Sequence, residues 1–279
     1  MNDIIDKFID HMRTHGINPS SPIIPDGTLR RAHVEGDRTG TLNLAYTFHS
    51  DGIPAGWFLH FRTGATGTWA FDGKKEPMTA AIRQQIQRAK VKRQLEQAEA
   101  HNKATDKARW LWKQSTPITK QSEHPYLVKK CIKPHGARLS RDALVIPIQD
   151  ETGTIVNLQF IQPEGQKRFL SGGRKKGCYS YIGDPTETIL ICEGFATGAS
   201  LYEATGHYVV AALDAGNLKP VAEIIRKQYP AAEIIIAGDN DEVGRKSAND
   251  AALACGGKVF IPPVLGMDWN DYINQGGAV

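Results

Sequence analysis

The last third of the chain alternates short apolar runs with segments of helical spacing, and this alternation constrains the fold more than any other feature. Thr188–Cys192, His207–Leu213, Glu233–Ala237 and Lys258–Ile261 are short runs rich in Ile, Val and Leu. Between them, Ala196–Ala204, Pro220–Tyr229 and Val243–Cys255 read as helices. Strands with no polar alternation are buried on both faces, so this order predicts an α/β domain with a parallel sheet flanked by helices.

In such a sheet, ligands bind beyond the carboxyl ends of the strands. The first run ends in Glu193-Gly194 and the third in Gly238-Asp239-Asn240-Asp241. Three carboxylates at one sheet edge repel one another unless a cation neutralises them. Oxygen ligands with no His or Cys beside them select Mg²⁺ or Mn²⁺ over zinc. Asp239 and Asp241 stand two apart, so both can face one ion from an extended or turning backbone. Gly194 and Gly238 are expected to let the backbone approach a ligand closely. The competing reading of each acid is a helix N-cap, which an Asp after a strand equally satisfies.

The rest of the chain divides into three parts. Residues 1–78 read as a small α+β domain: Ile4, Phe8, Ile9 and Met12 fall at helical spacing. After Pro19–Pro25, Leu42, Leu44, Tyr46 and Phe48 alternate with other residues, as do Trp57, Leu59 and Phe61, with Gly or Asp-Gly turns between, which suggests an antiparallel sheet. Arg30, Arg31, Arg38 and Arg62 with Trp57, Trp69 and Phe61 offer the materials for gripping a single strand by stacking and phosphate contacts; burial in a core is the competing fate of the aromatics. Residues 79–113 contain neither Pro nor Gly and form one long helix rich in bases (Arg83, Arg88, Lys90, Lys92, Arg93, Lys103, Lys107, Arg109). It is either a solvated linker or a helix that tracks a phosphate backbone. Residues 114–183 form a basic, β-rich subdomain: the hairpin Ala143–Ile148 and Ile155–Ile161 turns at Asp150-Glu151-Thr152-Gly153. It leads into a basic loop with Lys167, Arg168, Arg174, Lys175 and Lys176, where Gly172, Gly173 and Gly177 are expected to free backbone amides for phosphate.

Composition adds exclusions. A net charge of +4 permits nucleic-acid binding without requiring it. The four cysteines (131, 178, 192, 255) never fall in a Cys-x-x-Cys pair, so no zinc ribbon is expected and reduced thiols are. No apolar run reaches the roughly 18–20 residues of a membrane span. The acidic start, Asp3 and Asp6, is unlike a secretory signal, so a cytoplasmic protein is expected. No Gly-x-x-x-x-Gly-Lys-Ser/Thr occurs, hence no P-loop motor.

The stretch Glu193-Gly194-Phe195-Ala196-Thr197-Gly198-Ala199-Ser200 resembles the Glu-Gly-Tyr-Ala-Thr-Ala signature of plasmid and phage primases, and Gly238–Asp241 with Glu242-Val243-Gly244-Arg245 resembles the Toprim domain that primases share with topoisomerases and some nucleases. Residues 184–279 are then the Toprim catalytic domain, and 114–183 are similar to the RNA-polymerase-like subdomain of primases. The resemblance implies that Glu193, Asp239 and Asp241 are metal-binding and catalytic, with Asp268 as a further metal ligand and a last acid falling on Asn270 or Asp271. It implies Lys167 in catalysis, and Lys167, Arg168, Arg174, Lys175, Lys176 and Arg245 in nucleotide or nucleic-acid binding. The implied activity is synthesis of short RNA primers on single-stranded DNA by two-metal nucleotidyl transfer from ribonucleoside triphosphates, with Mg²⁺ or Mn²⁺, for plasmid, phage or mobile-element replication beside a separate replicative helicase or initiator. Two alternatives stay open: a Toprim-type nuclease or topoisomerase-like protein, and a non-enzymatic single-strand-binding accessory.

Overall fold

The computed structural model describes residues 2–50, 53–71 and 80–279, without the side chains of 2, 80–86, 89, 90 and 93. The expected boundary at 78/79, any Asp51-Gly52 turn, and the side chains of Arg83, Lys90 and Arg93 lie outside the described residues. The chain forms two compact units, Met1–Arg93 and Gln94–Val279. Among the described residues no helix is long and apolar enough to cross a membrane.

In the first unit, helix α1 (Asn2–Thr14) packs on a four-stranded antiparallel sheet of β1 (Arg30–Ala32), β2 (Leu44–His49), β3 (Ala55–His60) and β4 (Thr66–Ala70), in that order. Phe8 and Met12, one turn apart on α1, are fully buried with Leu44, Tyr46, Phe48 and Phe58. Phe8 stacks on Phe48 at 4.5 Å between ring centres, and Trp69 leans against both rings. A β-carbon on Gly56 would stand 2.6 Å from the Phe8 ring, so glycine there lets the helix sit close.

The parity of β3 differs from the sequence expectation. Tyr46 pairs with Phe58 and Leu44 with His60, so Phe58 and His60 face the core. Trp57 and Leu59 point to the other face, and Phe61, beyond the strand, is exposed with the Arg31 guanidinium 4.1 Å from its ring centre. Apolar residues occupy both parities here, so alternation could not choose the inner face.

The second unit begins within α2 (Ala80–Gln114) and contains two five-stranded sheets. The first, in chain order, is antiparallel: β5 (Thr116–Pro117), β6 (Arg138–Ser140), β7 (Ala143–Gln149), β8 (Ile155–Ile161) and β9 (Lys167–Phe169). The turn between β7 and β8 is held by Asp150, whose Oδ1 accepts from the Thr152 and Thr154 amides, while Gly153 takes φ +80°. One face of this sheet (Val145, Leu158, Phe160) packs on Ala108, Leu111 and Trp112 of α2. The other (Leu144, Ile146, Ile161) packs on α3 (Pro125–Lys130) and on the start of α4 (Phe195–Thr205), so segments 114–183 and 184–279 share a core.

The second sheet runs β10 (Ser180–Ile182), β12 (Tyr208–Ala211), β11 (Thr188–Cys192), β13 (Glu233–Ala237), β14 (Lys258–Phe260). The last four are mutually parallel, and β10 is an antiparallel edge. Helices α5 (Leu218–Gln228) and α6 (Glu242–Cys255) cover one face through Val221, Ile225, Ala248 and Ala252. On the other, Leu201 of α4 and Trp269 of α7 (Trp269–Asn274) pack on Leu190, Cys192 and Val209. The expected strand–helix alternation is therefore present, with β10 added.

Candidate active site

Three strands, β12, β11 and β13, lie side by side and parallel, so the residues that follow them emerge at one edge. Glu193 follows β11, Asp239 follows β13, and Asp214, which the sequence reading passed over, follows β12. Asp268 comes from the loop after β14 and Asp241 from the first turn after Asp239.

The acids divide into two kinds. Asp241 caps α6, its Oδ1 accepting from the Gly244 amide at 2.6 Å, and Asp268 caps α7 by accepting from the Asp271 amide at 2.7 Å. Asp214 caps the short 3₁₀ turn Ala215–Asn217. The cap reading is thus correct for Asp241 among the three acids it was weighed for, and Asp268 and Asp214 are caps as well. It is not correct for Glu193 and Asp239. The residue that caps α4 is Gly194, with no side chain, and Asp239 Oδ1 is buried without a hydrogen-bond partner.

These two carry the electrostatic signature of the site. Burial first, then the negative charges of Glu193, Asp268 and Asp241, push the Asp239 carboxyl up to about 7. Burial first, then Asp214, Asp241 and Asp268, raise Glu193. In both cases Lys167 acts in the opposite sense, and its Nζ stands 3.8 Å from where a β-carbon on Gly194 would lie. Lys167 is on β9 in the row Leu144, Ile161, Lys167, the face that meets the start of α4, so the sheet alternation aims it at the acid-bearing edge. The adjacent Cys192 thiol is fully buried and shifted upward by burial and by Asp239 and Glu193, which leaves it inert.

The remaining basic residues are distributed differently from one another. Arg168 lies in the row Val145, Phe160, Arg168, on the opposite face beside α2. Arg174 is held by Asp150 at 3.1 Å and Glu151 at 3.4 Å, and its Nε donates to Cys178 Sγ. Lys175 bonds Asp214 at 2.9 Å and lies 4.2 Å from the Phe169 ring centre, linking the basic loop to the acid edge. Lys176 is exposed. Arg245 donates to Asn240 Oδ1 at 2.6 Å, and Asn240, through the Pro262 carbonyl, ties the Asp239–Asp241 turn to the segment after β14.

Several glycines serve packing instead of ligand approach. A β-carbon on Gly238 would meet Ala248 at 2.6 Å, and one on Gly244 the Asp239 carbonyl oxygen at 2.6 Å; both let α6 close on the Asp239 turn. The Gly173 amide donates to Leu170 O and the Gly177 amide to Asn217 Oδ1, so neither is left for phosphate. Gly194 differs: nothing stands nearer its β-carbon position than Lys167. Asn270 is fully buried and donates to Ser200 Oγ and the Lys130 carbonyl, bracing α7, while Asp271 pairs with Lys130 at 2.9 Å.

The oxygen-only donor set and the unpartnered Asp239 oxygen fit a hard divalent cation. Among the described residues, no three His, Cys, Asp or Glu side chains are gathered tightly enough to enclose an ion.

A parallel sheet with acids at these strand ends defines the class. Residues 188–279 match the family model described as the Toprim domain. Most of the chain is similar to two proteins of Escherichia coli named DNA primase TraC. One is 35% identical over 280 residues, covering 92% of this chain and 26% of the relative; the other is 33% identical over 282 residues, covering 92% and 19%. The chain therefore spans about a quarter or less of the length of these curated relatives. Among solved structures it is similar to the primase fragment of the bacteriophage T7 primase-helicase protein (TM-score 0.46, 20% identity, 58% of this chain and 76% of that one). It is also similar to the Aquifex aeolicus primase zinc-binding and RNA polymerase domains (TM-score 0.46, 15% identity, 98% and 81%).

Proposed function

We propose that the chain is the catalytic part of a DNA primase, joining ribonucleotides into short primers on single-stranded DNA in the cytoplasm, for replication of a plasmid, phage or mobile element. The observation that carries this reading is Lys167 reaching from one sheet to the Glu193-Gly194 turn of another, beside an Asp239 carboxyl that is crowded by other acids and has one buried oxygen without a hydrogen-bond partner. The relatives named DNA primase support it.

Glu193, Asp239, Asp241 and Asp268 would hold Mg²⁺ or Mn²⁺, Asp241 and Asp268 with the capacity left over from their capping bonds. Bound there, the cation supplies activation of a primer 3′-hydroxyl and neutralisation of the departing pyrophosphate. Lys167 places a fixed positive charge where phosphate charge develops, and such preorganised charge lowers the barrier without reorganising water. Lys175 and Lys176 extend that positive surface toward the triphosphate. Arg174 and Arg245, each held by protein partners, keep the basic loop and the Asp239 turn in place. No protein nucleophile is needed, because phosphoryl transfer rests on positioning and electrostatics. Duplex opening is assigned to a separate helicase or initiator.

The test is incorporation of labelled ribonucleotides on a single-stranded DNA template with Mg²⁺ or Mn²⁺. Metal-dependent products are expected. Scission of DNA without added nucleotides would instead identify a Toprim nuclease, and metal-independent DNA binding with no products would identify an accessory protein; either overturns the reading.

A further inference from the structure

The basic helix singled out in the sequence is not used by the site described above, and its second half is distinctly two-faced. Ala104 and Ala108 are buried, and Leu111 and Trp112 pack on the outer face of the β5–β9 sheet. The opposite stripe carries Lys103, Lys107, Trp110 and Lys113, at spacings of four, three and three residues that keep them on one side of a helix. All four are exposed, and Trp110 is 59% exposed. An indole this open on a helix whose other aromatic, Trp112, is packed under Arg138 has no part in the core. Asp106 is the acid within this stripe, so the local charge is positive.

We propose that this face of α2 is a binding track for single-stranded nucleic acid, with Trp110 as a stacking platform for a base and Lys103, Lys107 and Lys113 as phosphate contacts. The lysines span about 15 Å of helix at about 1.5 Å per residue, a length several nucleotides can follow. An aromatic face flanked by cations fits this ligand better than an apolar partner, because a protein helix docking on Trp110 would bury three lysine charges around it. Arg168, exposed at the β9 edge on the same face of the sheet as α2, extends the positive surface toward the strand that carries Lys167. The track lies on the side of the β5–β9 sheet away from α4, so it holds the strand apart from the reacting atoms. The proposal rests on the reading of a chain that works on single-stranded DNA.

Fluorescence anisotropy of a labelled oligothymidylate with the full chain, in EDTA and without nucleotides, tests it free of any catalytic step. Trp110→Ala is expected to weaken binding about tenfold, within the range for loss of one base–aromatic stack. Replacing Lys103, Lys107 and Lys113 together with Ala is expected to flatten the log–log salt dependence by about 2, at roughly 0.7 per phosphate contact on single strands. Every substituted residue is exposed, and unchanged far-ultraviolet circular dichroism confirms folding. Wild-type affinity and salt dependence in both variants would overturn the track and leave the Trp110 face to a protein partner. Loss of binding in the variants, with no ribonucleotide incorporation by the wild type, would keep the track and sink the primase reading instead.

Discussion

Asp37 in the first unit and Asp239 in the second are both largely withdrawn from water, yet their carboxyls are shifted in opposite directions. The Asp37 side chain is fully buried; it bonds His60 Nε2 at 2.9 Å, accepts from Asn43 at 2.9 Å, and lies 2.5 Å from Arg62 Nε, an ion pair outside hydrogen-bond angles. The His60 bond first, then Asn43 and the Arg62 charge, hold Asp37 below the usual carboxylate range against the effect of burial. Asp239 has acids for neighbours, an unpartnered oxygen, and Lys167 as its counter-charge, and its carboxyl rises to about 7. A carboxylate answered by donors completes a structure. One surrounded by like charge stores electrostatic work that a ligand can release.

The contrast can be broken most severely at the site. Glu193→Gln or Asp239→Asn is expected to lower ribonucleotide incorporation by at least a hundredfold, the order seen when a preorganised charge is removed from a transition state. Folding should be retained, since neither side chain caps a helix. Wild-type rates in either variant would dismiss the site. Lys167→Ala should cost somewhat less, on the order of a hundredfold, with Lys167→Arg recovering part of the rate because the charge remains. Full activity in Lys167→Ala would detach the basic sheet from the chemistry.

Stability should separate the two aspartates with opposite pH dependences. A carboxyl raised from 3.8 to about 7 binds its proton more tightly in the folded state, so between those values stability declines as pH rises. Asp239→Asn removes that penalty. It should raise the melting temperature at pH 8 by about 2–4 °C, the shift that ~1 kcal/mol produces in a domain of this size, and the gain should vanish near pH 4. Asp37, held low, stabilises the fold above the unfolded carboxylate pKa and loses that contribution as pH falls through its own lower value. Asp37→Asn should therefore lower the melting temperature at pH 7, with a difference that narrows in acid. Parallel pH profiles for the two variants would erase the distinction.

The same comparison shows what the chain makes legible. In residues 188–279 each buried strand is a continuous apolar run and each helix start is marked by Gly, Asp or Asn, so elements fall within a few residues of where the pattern puts them. Glu193 and Asp239 stand at strand ends that the pattern marks, whereas Lys167, expected in a basic loop, lies on the short strand β9. Asp214 directly follows the expected run His207–Leu213 and heads an Asp-Ala-Gly-Asn turn, a cap signal of its own, yet it was passed over beside the Glu-Gly and Asp-x-Asp pattern of the other two strand ends. Strand β10 and helices α3 and α7 are too short to show a period. In the first unit, the consecutive apolar residues Trp57, Phe58 and Leu59 hide which parity faces α1, and nothing local announces that Asp37 and His60, far apart in sequence, meet.

Manganese binding followed by electron paramagnetic resonance at pH 7.5 tests the central claim most directly. The free-ion signal should fall on adding the wild-type protein, and should fall far less on adding Asp239→Asn or Glu193→Gln at equal concentration. Equal uptake by all three proteins, or none by the wild type, would contradict a cation site at the ends of β11 and β13.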